Sequence, residues 1–189
     1  MSLEVWKKIG DPAVLASKFG KSLLLQRFLN PKTSKEEEYA LIAQKDWSVI
    51  LPVTPEQNVI AVRQYKQGCN TIITELPAGT ADFKEEKPEI VAQRELTEET
   101  GYVPHRVYYL GSFWIASRSS PTRFHSFLAT GCRLSGSQKL DENEDVEAVS
   151  ISLDTWINEV MHGKIDEPSA VVTTFLSLPV LGIYVSRKI

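Results

Sequence analysis

Glu95, Glu98 and Glu99 lie within one turn of a helical stretch that stops at Gly101. Residues three and four apart share a helix face, so three carboxylates crowd one patch. Like charges at that spacing repel by roughly 0.2–0.5 kcal/mol per pair. The negative end of the helix dipole lies there too and disfavours them further. A divalent cation removes both penalties, and hard carboxylate oxygens suit magnesium or manganese. A carboxylate-held cation next to a pyrophosphate does one reaction naturally. It neutralises phosphate oxygens and activates water for attack at phosphorus.

Glu95 and Glu99, four apart, are the expected metal ligands, with Glu98 as a further ligand or as a base. Arg94 cannot ligate a metal and is expected to pair with a nearby carboxylate such as Glu86, holding the loop against the helix. The surrounding pattern runs from Gly79 through Glu86 to Arg94-Glu95-Leu96-x-Glu98-Glu99-x-Gly101-Tyr102. It resembles the Nudix box, G-x5-E-x7-R-E-U-x-E-E-x-G-U, where U is bulky and apolar. Six residues rather than five separate Gly79 from Glu86. The extra one falls in the loop, where insertions are tolerated best.

Two neighbouring runs resemble an ADP-ribose and nucleoside diphosphate sugar subgroup of that family. They are Glu75-Leu-Pro-Ala-Gly79 and Val62-Arg63-Gln64-Tyr65-Lys66, with Lys66 where the subgroup usually has arginine. Lysine keeps the charge and loses the planar fork. The resemblance implies the backbone carbonyl of Ala78 as a metal ligand and Arg63, Gln64 and Lys66 as substrate contacts. It also implies a general base from the acidic run Asp141-Glu142-Asn143-Glu144-Asp145, with Glu142 matching the base position best, Glu144 as the alternative base, and Glu144 otherwise facing the metal. The proline usual in ADP-ribose-specific members would fall near Ser117–Arg118, and Pro121 is late. Arg118 and Arg123 in that loop are candidates for holding phosphate or sugar oxygens instead.

These residues need a scaffold. Pro88 fits a first helical turn and Gly101 a helix stop. Strands are expected over residues 22–30, 38–44, 47–53, 58–65, 72–76, 108–116, 124–132 and 146–153. Asp154 is the expected N-cap of a helix toward His162, and Glu167-Pro168-Ser169 opens another through about Ser177. The stretch from Pro179 to Ile189 has no clear pattern. Interspersed strands and helices without βαβ repetition argue α/β or α+β with a mixed sheet. The resemblance sharpens this to the Nudix fold, an α-β-α sandwich, over residues 46–189. Residues 1–45 form an N-terminal β extension, for which the resemblance implies homodimerisation.

The 189 residues fit one domain with a small appendage, and 42% hydrophobic content is ample for a core. A net charge of −3 gives no reason for attraction to nucleic acid or membrane. Cys69 and Cys132 lack metal-ligand spacing and are expected as free thiols in a reducing cytosol. No apolar run approaches a membrane span and no signal sequence is evident, so the expected location is cytoplasmic. His105, His125 and His162 are scattered and are expected to be neither ligands nor catalysts.

The functional expectation is a metal-dependent hydrolase of ADP-ribose or a related nucleoside diphosphate sugar, yielding a nucleoside monophosphate and a sugar phosphate. Its rivals are a Nudix hydrolase of dinucleoside polyphosphates and a non-catalytic module that senses ADP-ribose.

Overall fold

The computed structural model describes residues 3–83, 85–142 and 144–184. The chain divides into two compact units, Met1–Asp46 with Trp114–Arg123, and Trp47–Phe113 with Phe124–Ile189.

The first unit holds an antiparallel sheet of β1 (Lys7–Lys18), β2 (Lys21–Leu29) and β3 (Glu36–Ala43) in that order. Phe19 and Gly20 join β1 to β2 with φ of +48° and +73°. A two-residue hairpin with both φ values positive matches the right-handed twist of the strands. Strand β1 bulges between Ile9 and Ala13. The buried Gln26 amide donates to Ile9 O and Gly10 O there, satisfying carbonyls that the bulge takes out of the ladder. Residues 114–123 dock on the end of β3, with Ile42 N–H donating to Ser119 O at 2.8 Å and Ser120 Oγ to Ile42 O at 2.6 Å.

The second unit is built on a mixed sheet. Its strands in chain order are β4 (Trp47–Val53), β5 (Asn58–Lys66), β6 (Thr71–Glu75), β7 (Ala78–Thr80), then β8 (Tyr102–Val103), β9 (Arg106–Trp114), β10 (Arg123–Thr130), β11 (Arg133–Leu134) and β12 (Val146–Ser152). The main path runs β12-β5-β4-β10-β9, with β6 on β5 and β7 on β4; β8 and β11 pair separately. Strands β4 and β10 are parallel, whereas β5 is antiparallel to β4, β6 and β12. Three helices lie among the described residues: α1 (Pro88–Thr100), α2 (Leu153–Met161) and α3 (Pro168–Val180).

Strand β4 is buried on both faces, as a central strand must be when both faces are covered. Val49, Leu51 and Val53 face a core that includes Trp156 and Val160 of α2 and Ala170 of α3. Ile50 points the other way, to Ala92 and Leu96 of α1 with Phe127 and Cys132. This is the α-β-α layering and mixed sheet that the sequence implied. No helix among the described residues is long and apolar enough to cross a membrane.

The cap of α2 differs from expectation. Ser152, not Asp154, caps α2, its Oγ accepting from Thr155 N–H at 3.3 Å. Strand β12 runs straight into the helix, so the cap falls at the strand's last residue and Asp154 sits in the first turn, where the dipole favours its charge. In the C-terminal stretch that showed no pattern, Pro179 and Val180 finish α3, and residues 185–189 lie outside the described residues.

Candidate active site

The box residues assemble at the junction of β7, the loop after it, and α1. Strand β7 pairs antiparallel with β4, Ala78 opposite Val49 and Gly79 opposite Ser48. Pro88 occupies the first turn of α1, and Gly101 closes it with φ of +77°, its N–H donating to Thr97 O at 2.8 Å. That left-handed conformation favours glycine.

Arg94 is the organiser. Its Nε donates to Glu86 Oε1 at 3.1 Å and its Nη2 to Thr80 O at 2.9 Å, tying the loop to the helix. Its Nη1 donates at 2.9 Å to both Glu95 Oε1 and Glu98 Oε2. Burial alone would lower the guanidinium's affinity for its proton, but these carboxylates outweigh burial and raise it. The Glu86 side chain is 3% exposed and also accepts from Asp82 N–H at 2.9 Å. Hydrogen bonds from Arg94 and Asp82 hold its carboxyl below the usual range. Glu86 is thus favoured as the carboxylate that fixes Arg94.

Glu95 and Glu99 behave in the opposite way. Glu99 is 4% exposed, and its Oε2 accepts from Ala78 N–H at 3.1 Å. Burial, then the neighbouring charge of Glu95, push its carboxyl up to about 8, with Glu75 and Glu144 adding to the rise. Burial likewise pushes Glu95 up to about 7 against the pull of Arg94, with Glu98 and Glu144 on the raising side. One buried and one half-buried carboxylate with shared repulsion are short of positive charge. Glycine at 79 lets Glu95 lie against the β7 backbone, since a Cβ there would overlap its carboxylate. This oxygen-only donor set, negative and partly desolvated, fits a hard divalent cation. Among the described residues no three acidic, His or Cys side chains already converge as a finished cage. Glu98 is turned toward Arg94 and its side chain is 38% exposed.

Beside the box, Lys66 Nζ lies 2.6 Å from Glu75 Oε1, and Gln64 Nε2 donates to the same oxygen at 2.7 Å. Gln64 and Lys66 share one face of β5, as alternation along a strand requires. Arg63 faces the other way and pairs with Glu147 across β5 and β12 at 3.0 Å. Glu75 is buried, and its carboxyl is raised by that burial against the pull of Lys66. Sequence reading assigned Glu75 no role of its own; its signal was a glutamate ending a β strand beside an expected cation site.

In the acidic segment, Asn143 lies outside the described residues. Glu142 and Glu144 are both exposed, and Glu144 Oε2 accepts from Asp141 N–H at 3.0 Å. Of the two, Glu144 is the one whose charge acts on both Glu95 and Glu99. Arg118 and Arg123 belong to the first unit. Arg118 lines a cavity there with Trp6, Phe28 and Tyr39, and the Arg123 guanidinium lies 4.1 Å from the centre of the Trp114 ring.

A NUDIX domain model matches residues 44–168. The chain belongs to the Nudix family. The ADP-ribose pyrophosphatase of Bacillus subtilis (strain 168) is 32% identical over 151 residues, spanning 79% of this chain and 80% of that protein. A methanol dehydrogenase activator of Bacillus methanolicus is 29% identical over the same shares of the two chains. The crystal structure of an ADP compounds hydrolase superposes with a TM-score of 0.82 at 18% identity, covering 96% of this chain and 97% of the other, a likeness of fold. With family membership and the box glutamates in place, this Nudix protein is an enzyme, a pyrophosphohydrolase.

Proposed function

We propose that this Nudix enzyme hydrolyses the diphosphate of ADP-ribose or a related nucleoside diphosphate sugar, using magnesium or manganese. The observation that carries the reading is the placement of Glu95 and Glu99 against β7, Glu95 held by Arg94 at 2.9 Å and lying on Gly79, Glu99 buried and held by Ala78 N–H at 3.1 Å. Glu95, Glu99, Glu98, Glu144 and the Ala78 carbonyl would hold the cation. When bound, it supplies Lewis acidity at the diphosphate oxygens and at water.

The rest falls to the chain. Glu142 accepts the proton of the attacking water, whose oxygen bonds to one phosphorus as the bridging P–O bond breaks. Arg94 keeps Glu95 and Glu98 aligned. Gln64 and Lys66, gathered on Glu75, offer donors to substrate oxygens from the neighbouring strand. Products are a nucleoside monophosphate and a sugar phosphate. The subgroup resemblance and the 32% identical ADP-ribose pyrophosphatase support this substrate class. Lys66 in place of arginine, and Pro121 late in its loop, leave the sugar and base to experiment.

The deciding experiment is hydrolysis of ADP-ribose, ADP-glucose, GDP-mannose, NADH and diadenosine polyphosphates with magnesium, with product identification. ADP-ribose or a nucleotide sugar should turn over fastest. Preference for a dinucleoside polyphosphate would transfer the site to the first rival, and binding of ADP-ribose without turnover to the second.

The N-terminal unit is proposed as a homodimerisation module. Val14, Leu15, Phe19 and Ile42 of its sheet are exposed apolar residues. Light scattering on a size-exclusion column should give twice the chain mass; a monomer would refute this.

A further inference from the structure

The acidic segment bearing Glu142 and Glu144 is strapped at its stem to the last turn of α1. An α-helix leaves its last carbonyls without intrahelical partners. Here the chain after β11 satisfies them. Ser135 and Gly136 N–H donate to Gly101 O at 2.9 and 3.3 Å, and Lys139 N–H donates to Glu98 O at 2.8 Å. Gln138 adds a different connection. Its Nε2 donates to Glu99 O and, at 3.1 Å, to Val146 O, eight residues along the chain. One half-buried amide thus joins three things: the backbone of a box glutamate, the start of the acidic segment, and the first residue of β12.

We infer that Gln138 is a positioning residue for the hydrolysis, holding the acidic segment in register with the box glutamates. The inference rests on the proposed role of Glu142 and Glu144. Geometry makes Gln138 suited to it. A primary amide has two N–H donors, so it serves two carbonyls at once. Glu142 and Glu144 are exposed, so their distance to the box depends on where the stem is held. The turn inside the segment, Glu144 N–H to Asp141 O at 2.9 Å and Asp141 N–H to Glu144 Oε2 at 3.0 Å, is internal and fixes nothing to α1. The stem bonds are the ones that do.

Methionine is close to glutamine in size and donates nothing, so Gln138→Met deletes the two side-chain bonds, to Glu99 O and Val146 O, with little change in volume. Misplacement of a reacting group by about 1 Å costs on the order of a hundredfold in rate. The expected loss in kcat for Gln138→Met on ADP-ribose is therefore about tenfold to a hundredfold, with KM changing less than threefold. Glu142→Gln and Glu144→Gln are each combined with it. Residues acting as one unit are not additive. Gln138→Met should cost little further in whichever background has already lost the carboxylate it positions. Amide hydrogen exchange gives a readout without turnover: residues 139–146 should exchange faster in Gln138→Met while residues 90–97 of α1 stay as in the wild type. Full additivity in both backgrounds, or unchanged kcat and exchange, would overturn the inference. A wild-type protein that turns over no diphosphate would instead overturn the functional reading, and the exchange result would still report on the strap.

Discussion

Gly79→Ala separates the geometry of the box from its stability. The glycine's backbone is not in the left-handed region, so alanine is conformationally allowed. The conflict is with one side chain. A Cβ at 79 would overlap Glu95 Oε1 and Cδ and stand 2.6 Å from Oε2, where ordinary contact begins at 3.4 Å. The obstructed group is the end of a flexible side chain, so the carboxylate moves and the backbone stays. Even the farther oxygen must retreat by roughly an ångström, which breaks the 2.9 Å bond from Arg94 and removes Glu95 from its place. A shift of that size costs about a hundredfold in rate, or about 2.7 kcal/mol of transition-state stabilisation. Stability should hardly change, because alanine also restricts the unfolded chain by about 0.4–1 kcal/mol. The assay is phosphate release from ADP-ribose through an added phosphomonoesterase, with a circular-dichroism melt on the same samples. The double variant Gly79→Ala/Glu95→Asp, whose carboxylate is one methylene shorter, should be less impaired than the sum of its single changes. The reasoning fails if Gly79→Ala keeps turnover within threefold of wild type, or if it loses activity only by unfolding.

Three other outcomes are expected. Glu142→Gln should lower kcat by about a hundredfold or more at an unchanged magnesium requirement, whereas Glu144→Gln should raise the magnesium concentration needed for half-maximal rate; the reverse pattern would exchange their roles. Glu95 and Glu99 hold protons in the folded metal-free protein up to about 7 and about 8, well above the unfolded carboxyl value. The folded state then binds more protons than the unfolded one between roughly pH 4.5 and 8, so metal-free stability should fall as pH rises through that window, and magnesium should restore it most at the alkaline end; a melting temperature in chelator that climbs from pH 6 to 8.5 would contradict this. Cys132 is buried with its thiol pushed up to about 12, while Cys69 is exposed, so a thiol reagent should titrate one cysteine in the native protein and both after denaturation.

The chemistry of the box was legible because it is local. Glu95, Glu98 and Glu99 sit within about one turn of one helix, and their spacing along the chain is their spacing in space. Strand β4 was equally readable, since a run from 47 to 53 that is apolar except at Ser48 suits a strand buried on both faces. Strand β1 was not individually placed: its twelve residues are exposed almost throughout and carry a bulge, so they show no two-residue alternation. Long-range partnerships were invisible for a different reason. Glu75 meets Lys66 and Gln64 only because β6 folds back on β5, and Gln138 meets Glu99 only because the chain returns past the end of α1. A glutamine in a polar stretch has no periodicity or motif to mark it.

The end of α1 shows how the fold accommodates a site that works against it. The last turn carries Glu98 and Glu99 and no basic residue, against the preference of the helix dipole. Glu99 is also buried, which a free surface carboxylate would not be. Stability at this end must therefore come from elsewhere. Val91, Ala92 and Leu96 anchor the other side of the helix in the core, the last two against Ile50 and Phe127. Arg94, one turn earlier, supplies the positive charge that the last turn lacks and spreads it over Glu86, Glu95 and Glu98. The stem of the acidic segment satisfies the carbonyls of Glu98, Glu99 and Gly101. None of these devices neutralises Glu99 itself, whose hydrogen bond from Ala78 N–H is outweighed by its burial. The fold fixes the position of that carboxyl and gives its ionised form no basic partner, so a cation that replaces its proton supplies the charge the site lacks.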